Sequence, residues 1–265
     1  MPKVKINDIS MYYELHGDGE PIVLVSGFSV DHMPWQFIVD ILKSHYQVLV
    51  FNNRGAGQTD VPAGPYSINQ MADDIVELCT HMGIKKAHFV GNSMGGFLTQ
   101  VLSHRYPELV KSAVISNSAI KAQGTCFHLF LEAQLAFRKA NVPMDALLKS
   151  SFSWVFSSEF LNRPGMLEIL LQLGLNNPYP FTTTGFEGQY AALRDFNSQE
   201  WLKDIFVPTL VIGSDEDLIF SEKVSKQLHQ AIPNAQYYCF ENCGHVPNVE
   251  QPEKFVEVLE NFWRR

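Results

Sequence analysis

The chain has 265 residues, 46% of them hydrophobic and 18% charged, with a formal net charge of -8. That length and apolar content suit one large α/β domain or a core carrying an insertion. The acidic balance, with no basic run longer than Lys85-Lys86 or Arg264-Arg265, argues against nucleic acid as a partner. No apolar stretch approaches the roughly 18 residues that cross a bilayer, so no membrane partner is expected. Cys79, Cys126, Cys239 and Cys243 are too sparse for a disulfide scaffold and lack Cys-x-x-Cys spacing, so they are expected to be reduced thiols without a metal.

Residues 1–14 alternate polar and apolar side chains without a long apolar run, which predicts the first strands of a sheet rather than a leader, and hence a cytoplasmic protein. Apolar runs follow at 22–26, 46–51, 87–90, 112–116, 208–213 and 235–240, each short enough for a buried strand. Between them, 33–43, 67–82, 95–106, 221–231 and 252–263 carry apolar residues at helical spacing. In the second of these Ile68, Met71, Ala72, Ile75, Leu78 and Met82 share one face and Gly83 supplies a stop. Alternation of this kind predicts a mostly parallel sheet flanked by helices. It breaks over 121–200, where aromatic residues from Phe127 to Tyr190 accumulate without strand-like runs. The division expected is a core of 1–120 and 201–265 with an inserted helical cap at 121–200. Its aromatics would either form the cap's own core or line an apolar pocket that excludes water.

The pentapeptide Gly91-Asn92-Ser93-Met94-Gly95 stands between a strand-like run and a helix-like stretch. That setting suits a nucleophilic serine on a strained turn, with small neighbours on both sides. A serine hydroxyl is protonated at neutral pH and needs a base. Among nine histidines, His245 alone follows the last strand-like run in a loop that reaches the carboxyl edge of the sheet. The base needs a carboxylate on its other nitrogen. Asp217, just past the run 208–213, is the choice, with Asp215 and Glu216 as rivals. The developing oxyanion needs backbone donors: Met94, directly after the serine, and Phe28, in the loop Ser26-Gly27-Phe28-Ser29. Chemistry of this type needs no metal or organic cofactor, and the chain offers no glycine-rich phosphate loop or clustered ligand set.

These residues resemble the α/β-hydrolase superfamily, within it the capped serine esterases and carbon-carbon bond hydrolases. The likeness covers nearly the whole chain: Gly91 to Gly96, the turn Asn53-Arg54-Gly55-Ala56-Gly57-Gln58-Thr59, and Gly244-His245 followed by Glu250-Gln251-Pro252-Glu253. It departs from the family at Asn52, where an aspartate is usual, at Ser26, where histidine is usual, and at Val246, where many meta-cleavage product hydrolases carry tryptophan. Serine at position 93 sets it apart from dehalogenases and most epoxide hydrolases, which carry aspartate there. The resemblance implies hydrolysis of a small to medium hydrophobic ester or other acyl substrate, with enol-lactones as one variant. Carbon-carbon bond hydrolysis stands second, with Arg163 or Arg194 as holders of a substrate carboxylate. A non-catalytic receptor for a small ligand, built on the same scaffold, is the reading from a different class.

Overall fold

The computed structural model describes residues 2–122 and 126–264. Met1, residues 123–125 and Arg265 lie outside the described residues, and with them one member of the Arg264-Arg265 pair and three positions near the start of the stretch 121–200. The strands are β1 (Lys3–Ile6), β2 (Ile9–His16), β3 (Glu20–Val25), β4 (Tyr46–Phe51), β5 (Ala87–Asn92), β6 (Val110–Ser116), β7 (Thr209–Ser214) and β8 (Gln236–Phe240). They form one sheet in the order β1-β2-β4-β3-β5-β6-β7-β8. β2 pairs antiparallel with both β1 and β4, and every other pairing is parallel. The helices are α1 (Gln36–Leu42), α2 (Ile68–His81), α3 (Met94–Arg105), α4 (Cys126–Lys139), α5 (Met144–Val155), α6 (Ser158–Leu161), α7 (Met166–Leu175), α8 (Thr183–Arg194), α9 (Glu222–Ala231), α10 (Pro247–Glu250) and α11 (Pro252–Trp263).

Strand geometry explains why the central runs are apolar throughout rather than alternating. Successive side chains point to opposite faces, and here both faces are covered. On β3, Val23 and Val25 join a cluster with Ile75 and Leu98, while Ile22 and Leu24 join another with Trp35, Val39, Phe255 and Leu259. Thus α2 and α3 cover one face and α1 and α11 the other. A third cluster packs Leu228 of α9 against Val211 of β7. Helix α2 starts where Ser67 accepts a hydrogen bond from the Gln70 N–H, the capping pattern that satisfies an otherwise orphaned donor.

Chain order and sheet order diverge at β3. From there the next strand, β4, lies on one side and β5 on the other. In open α/β sheets the crevice at the carboxyl ends of such neighbours is where ligands bind, because the connections leave in opposite directions. The segments that leave the carboxyl ends of β3 and β5 are the loop 26–29 and the turn at Ser93.

Five helices, α4 to α8, lie between β6 and β7. Their buried Phe127, Leu131 and Phe186 belong to the same apolar cluster as Met94, Phe97 and Phe220, with Phe130, Trp154, Phe181 and Tyr190 packed against it. Phe160 instead stacks on Phe156, which meets Phe152 edge-on. The aromatic excess therefore divides between the insertion's own packing and the crevice side. Among the described residues no helix is long and apolar enough to cross a membrane.

Candidate active site

Ser93 follows β5 directly and has φ 57° and ψ -119°, a conformation that costs a non-glycine residue energy and persists only where its surroundings impose it. The surroundings are close. A Cβ on Gly91 would lie 2.1 Å from the Gly95 carbonyl oxygen, and one on Gly95 would lie 2.0 Å from that of Val25. Strand and helix approach this tightly only through glycine. The backbone is pinned further by the Ser93 N–H donating to the Ser116 carbonyl at 2.9 Å and by the Ser118 hydroxyl donating to the Ser93 carbonyl at 2.9 Å. Met94 opens α3, and its N–H, in the first turn, has no intrahelical acceptor. The loop after β3 lies alongside, since a Cβ on Gly27 would stand 3.2 Å from the Ser93 Cβ. Neither the Met94 nor the Phe28 N–H donates to an acceptor among the described residues.

His245 is buried, and its Nδ1 lies 2.9 Å from Asp217 Oδ2. Its Nε2 is buried and has no hydrogen-bond partner among the described residues. Asp217 is fully engaged. Its Oδ1 accepts from the N–H groups of Ile219 (2.8 Å) and Phe220 (3.0 Å), and its Oδ2 also accepts from Asn117 Nδ2 at 3.0 Å. The rival carboxylates point elsewhere. Asp215 accepts from the N–H groups of Asn242 and Cys243, bracing the turn before the histidine, and Glu216 accepts from the Ser158 N–H.

Four further side chains hold this site together: Asn92 and Glu250 lie inside motifs quoted from the sequence without a role of their own, and Asn117 and Gln189 were not singled out from it. Asn92 donates to the His245 carbonyl at 3.0 Å, tying the serine turn to the histidine loop. Asn117, at the end of β6 with φ 47°, donates to Asp217 and to Ser214 Oγ. Its one readable signal is position: it stands past a parallel strand's carboxyl end, as Ser93 and Asp217 do. Glu250 is buried and accepts from the Gly244 N–H (3.0 Å) and the Ser157 hydroxyl (2.6 Å), so it joins the histidine loop to the segment between α5 and α6. Burial pushes its carboxyl up from the ordinary glutamate range, against the lowering effect of those hydrogen bonds. The His245 N–H donates to the Val155 carbonyl at 2.7 Å across the same junction. Gln189 is the fourth, and it reaches the loop 26–29 from α8.

Two of the positions where the sequence departs from its resemblance hold neighbouring loops, and nothing in the structure explains Val246. Asn52 accepts from the His32 N–H at 3.1 Å, and its Oδ1 lies 2.7 Å from His32 Nδ1. Ser26 donates to the Asp31 carbonyl and accepts from Trp35 Nε1, which anchors the start of the loop. Arg54 is buried and bonded to Asp74 and Asp8, so it shapes its turn through ion pairs. Its guanidinium holds the Asp8 carboxyl below the usual range. Arg194 is exposed and paired with Asp195, while Arg163 lies over the Phe160 ring and donates to the Glu250 carbonyl.

A serine on a strained strand-to-helix turn and a histidine held by a carboxylate, in loops joined through Asn92 at the carboxyl edge of a mostly parallel sheet, with no hydrogen bond between Ser93 Oγ and His245 Nε2, suit a hydrolase of the α/β type. The sequence profile of the alpha/beta hydrolase fold matches residues 20–252, and the chain belongs to that family. It is 27% identical over 99% of its length, and 98% of the other's, to a protein of Azorhizobium caulinodans with the provisional name carbamate hydrolase RutD. It is 28% identical to 3-oxoadipate enol-lactonase 1 of Acinetobacter baylyi, over 91% of this chain and 87% of that one. The crystal structure of the enol-lactonase from Burkholderia xenovorans LB400 shares the fold with a TM-score of 0.89 over 100% of both chains at 24% identity.

Proposed function

We propose that this chain is a serine hydrolase that cleaves a carboxylic ester of a small to medium hydrophobic substrate through an acyl-enzyme on Ser93. The observation that carries the reading is the buried His245, with Nδ1 on Asp217 and Nε2 unpartnered, in a loop hydrogen-bonded to the residue before a strained serine. Nε2 takes the Ser93 proton as Oγ bonds to the ester carbon, and the carbonyl oxygen becomes an anion held by the N–H groups of Met94 and Phe28. Collapse breaks the bond to the alcohol oxygen, which leaves with the proton from His245. Water then gives a proton to His245 as its oxygen bonds to the acyl carbon; collapse breaks the bond to Ser93 Oγ, which takes that proton back from His245, and the acid is released. Asp217 fixes the tautomer and stabilises the imidazolium.

The inserted helices act as a cap in this reading. Phe181 and Phe186 lie edge-on to Phe28 at 6.0 and 4.7 Å, which sets an apolar surface beside the proposed oxyanion donor and favours a hydrophobic substrate group. Lactones are cyclic esters and follow the same steps, and a relative named an enol-lactonase makes them part of the substrate panel. The test is steady-state hydrolysis of p-nitrophenyl esters with acyl chains from two to twelve carbons, and of simple lactones, by the wild type and Ser93→Ala. Turnover that vanishes in the variant is expected, and its chain-length optimum sizes the acyl site. Undiminished turnover in Ser93→Ala overturns the assignment, and absence of turnover on the whole panel moves it to carbon-carbon bond hydrolysis or a receptor.

A further inference from the structure

Helix α8 packs on the loops that follow β3 and β4. Thr182 caps it by accepting from the Gly185 N–H at 3.1 Å. Its glycines then allow backbone-level contact with the loop after β4. A Cβ on Gly185 would lie 2.1 Å from the Gly55 carbonyl oxygen, and one on Gly188 would lie 2.4 Å from the Tyr66 ring. The Tyr66 N–H closes the junction by donating to the Gly188 carbonyl at 3.3 Å. The next residue, Gln189, is wholly buried. Its Oε1 accepts from the Ser29 N–H at 2.9 Å and its Nε2 donates to the Arg54 carbonyl at 2.8 Å. One helical turn earlier, Phe186 packs edge-on against Phe28. Ser29 itself has φ 63°, a left-handed conformation that needs an external hold.

We infer that Gln189 is the positioning residue of the oxyanion loop: its amide bridges the Ser29 N–H to the Arg54 carbonyl and thereby fixes the peptide next to Phe28, whose N–H faces the reacting carbonyl. This rests on the Phe28 role in the proposed function. A buried amide that commits one donor and its acceptor to two backbone segments is an expensive way to fill space, because each polar group left unpaired costs desolvation. Its return is geometry, since an oxyanion donor acts only when held within a few tenths of an ångström of its target.

The experiment uses Gln189→Leu and Gln189→Glu in the full chain, with three readouts: ester hydrolysis, the rate at which a fluorophosphonate labels Ser93, and the Ki of a trifluoromethyl ketone, to whose carbonyl Ser93 adds with its proton passing to His245. Gln189→Leu is expected to lower kcat and the labelling rate and to raise Ki, each by about 10- to 100-fold, with KM within about twofold, because removing a donor outright costs roughly 100- to 1,000-fold. Gln189→Glu keeps the shape. When protonated, its O–H donates to the Arg54 carbonyl and its other oxygen accepts from Ser29; when ionised, it faces that carbonyl with no proton to give. The ratio of its kcat to that of the wild type, which cancels the titration of the base His245 common to both, is therefore close to one at low pH and falls as pH rises. The ionisable groups around it are already committed: Arg54 to Asp8 and Asp74, and Glu187 to Lys139, while Tyr66 donates to the Pro62 carbonyl. Variants that melt lower yet keep kcat, labelling rate and Ki, or a Gln189→Glu profile parallel to the wild type, overturn the inference. Because labelling needs no ester substrate, a wild type that labels without hydrolysing esters contradicts the proposed function and leaves the Gln189 inference to the labelling rates; if Gln189→Leu does not fold, Gln189→Glu decides it.

Discussion

Asp217→Asn is the sharpest perturbation of the site, because the hydrogen bonds around the carboxylate dictate how the amide must sit. The Ile219 and Phe220 N–H groups both point at Oδ1, and as backbone donors they cannot turn away. The amide oxygen must therefore take the Oδ1 place, which leaves the NH2 facing His245 Nδ1 and Asn117 Nδ2, both 3.0 Å or less from Oδ2 in the native protein. His245 can meet that donor only by presenting Nδ1 as an acceptor. The ring proton then sits on Nε2, and the base cannot take the proton of Ser93. A wrong tautomer of this kind costs about a thousand- to ten-thousand-fold in kcat, or roughly 4 to 5.5 kcal/mol at 1.36 kcal/mol per tenfold. Asp215→Asn is the control. Among the described residues its two oxygens accept from Asn242 and Cys243 alone, so it loosens the turn without touching the imidazole, and less than about a tenfold loss is expected. The assay is kcat on the best ester from the chain-length series, with circular dichroism to verify folding. Equal losses, or a larger loss in Asp215→Asn, refute the reasoning.

Other outcomes follow from the same geometry. Gly95→Ala forces a methyl to within 2.0 Å of the Val25 carbonyl, so a destabilisation of at least about 1–3 kcal/mol is expected in urea unfolding; wild-type stability would contradict the packing described. Glu250 carries a pH signature. Its folded-state value is raised by burial, so its contribution to stability is complete below the ordinary glutamate value and is lost as pH rises through the folded one. Glu250→Gln accepts from Gly244 through its oxygen and donates to Ser157 Oγ, and removes that titration. The stability difference, variant minus wild type, should therefore rise with pH across the window above the ordinary glutamate value; a flat difference in denaturant titrations contradicts the assignment.

The fold was legible because the central strands are buried on both faces and so read as unbroken apolar runs, as at 22–26 and 46–51. The amphipathic stretch at 67–82 was legible because only one face of α2 meets the sheet. The antiparallel seam between β2 and β4 was not, since the alternation at 1–14 marks half-exposed strands but does not say which strand they pair with. Nor was α10, a single turn started by Pro247 just after the histidine. At the site, a residue's type and its place past a strand singled out Ser93, Asp217 and His245 for attention. The roles of Asn92, Asn117, Glu250 and Gln189 escaped because each is an ordinary polar residue with a partner far along the chain: His245 for Asn92, Asp217 for Asn117, Ser157 for Glu250 in addition to the nearby Gly244, and Ser29 for Gln189. Such pairings are set by sheet order and by how the inserted helices dock, neither of which a local pattern contains.

The central claim, that His245 activates Ser93 as a nucleophile, is tested most directly by fluorophosphonate labelling of the wild type, Ser93→Ala and His245→Ala, with the adduct located by peptide mass mapping. The account predicts one adduct, on Ser93, formed rapidly in the wild type, absent in Ser93→Ala and slowed at least about a thousandfold in His245→Ala. An adduct on another residue, or labelling of Ser93 at an unchanged rate without His245, would contradict it.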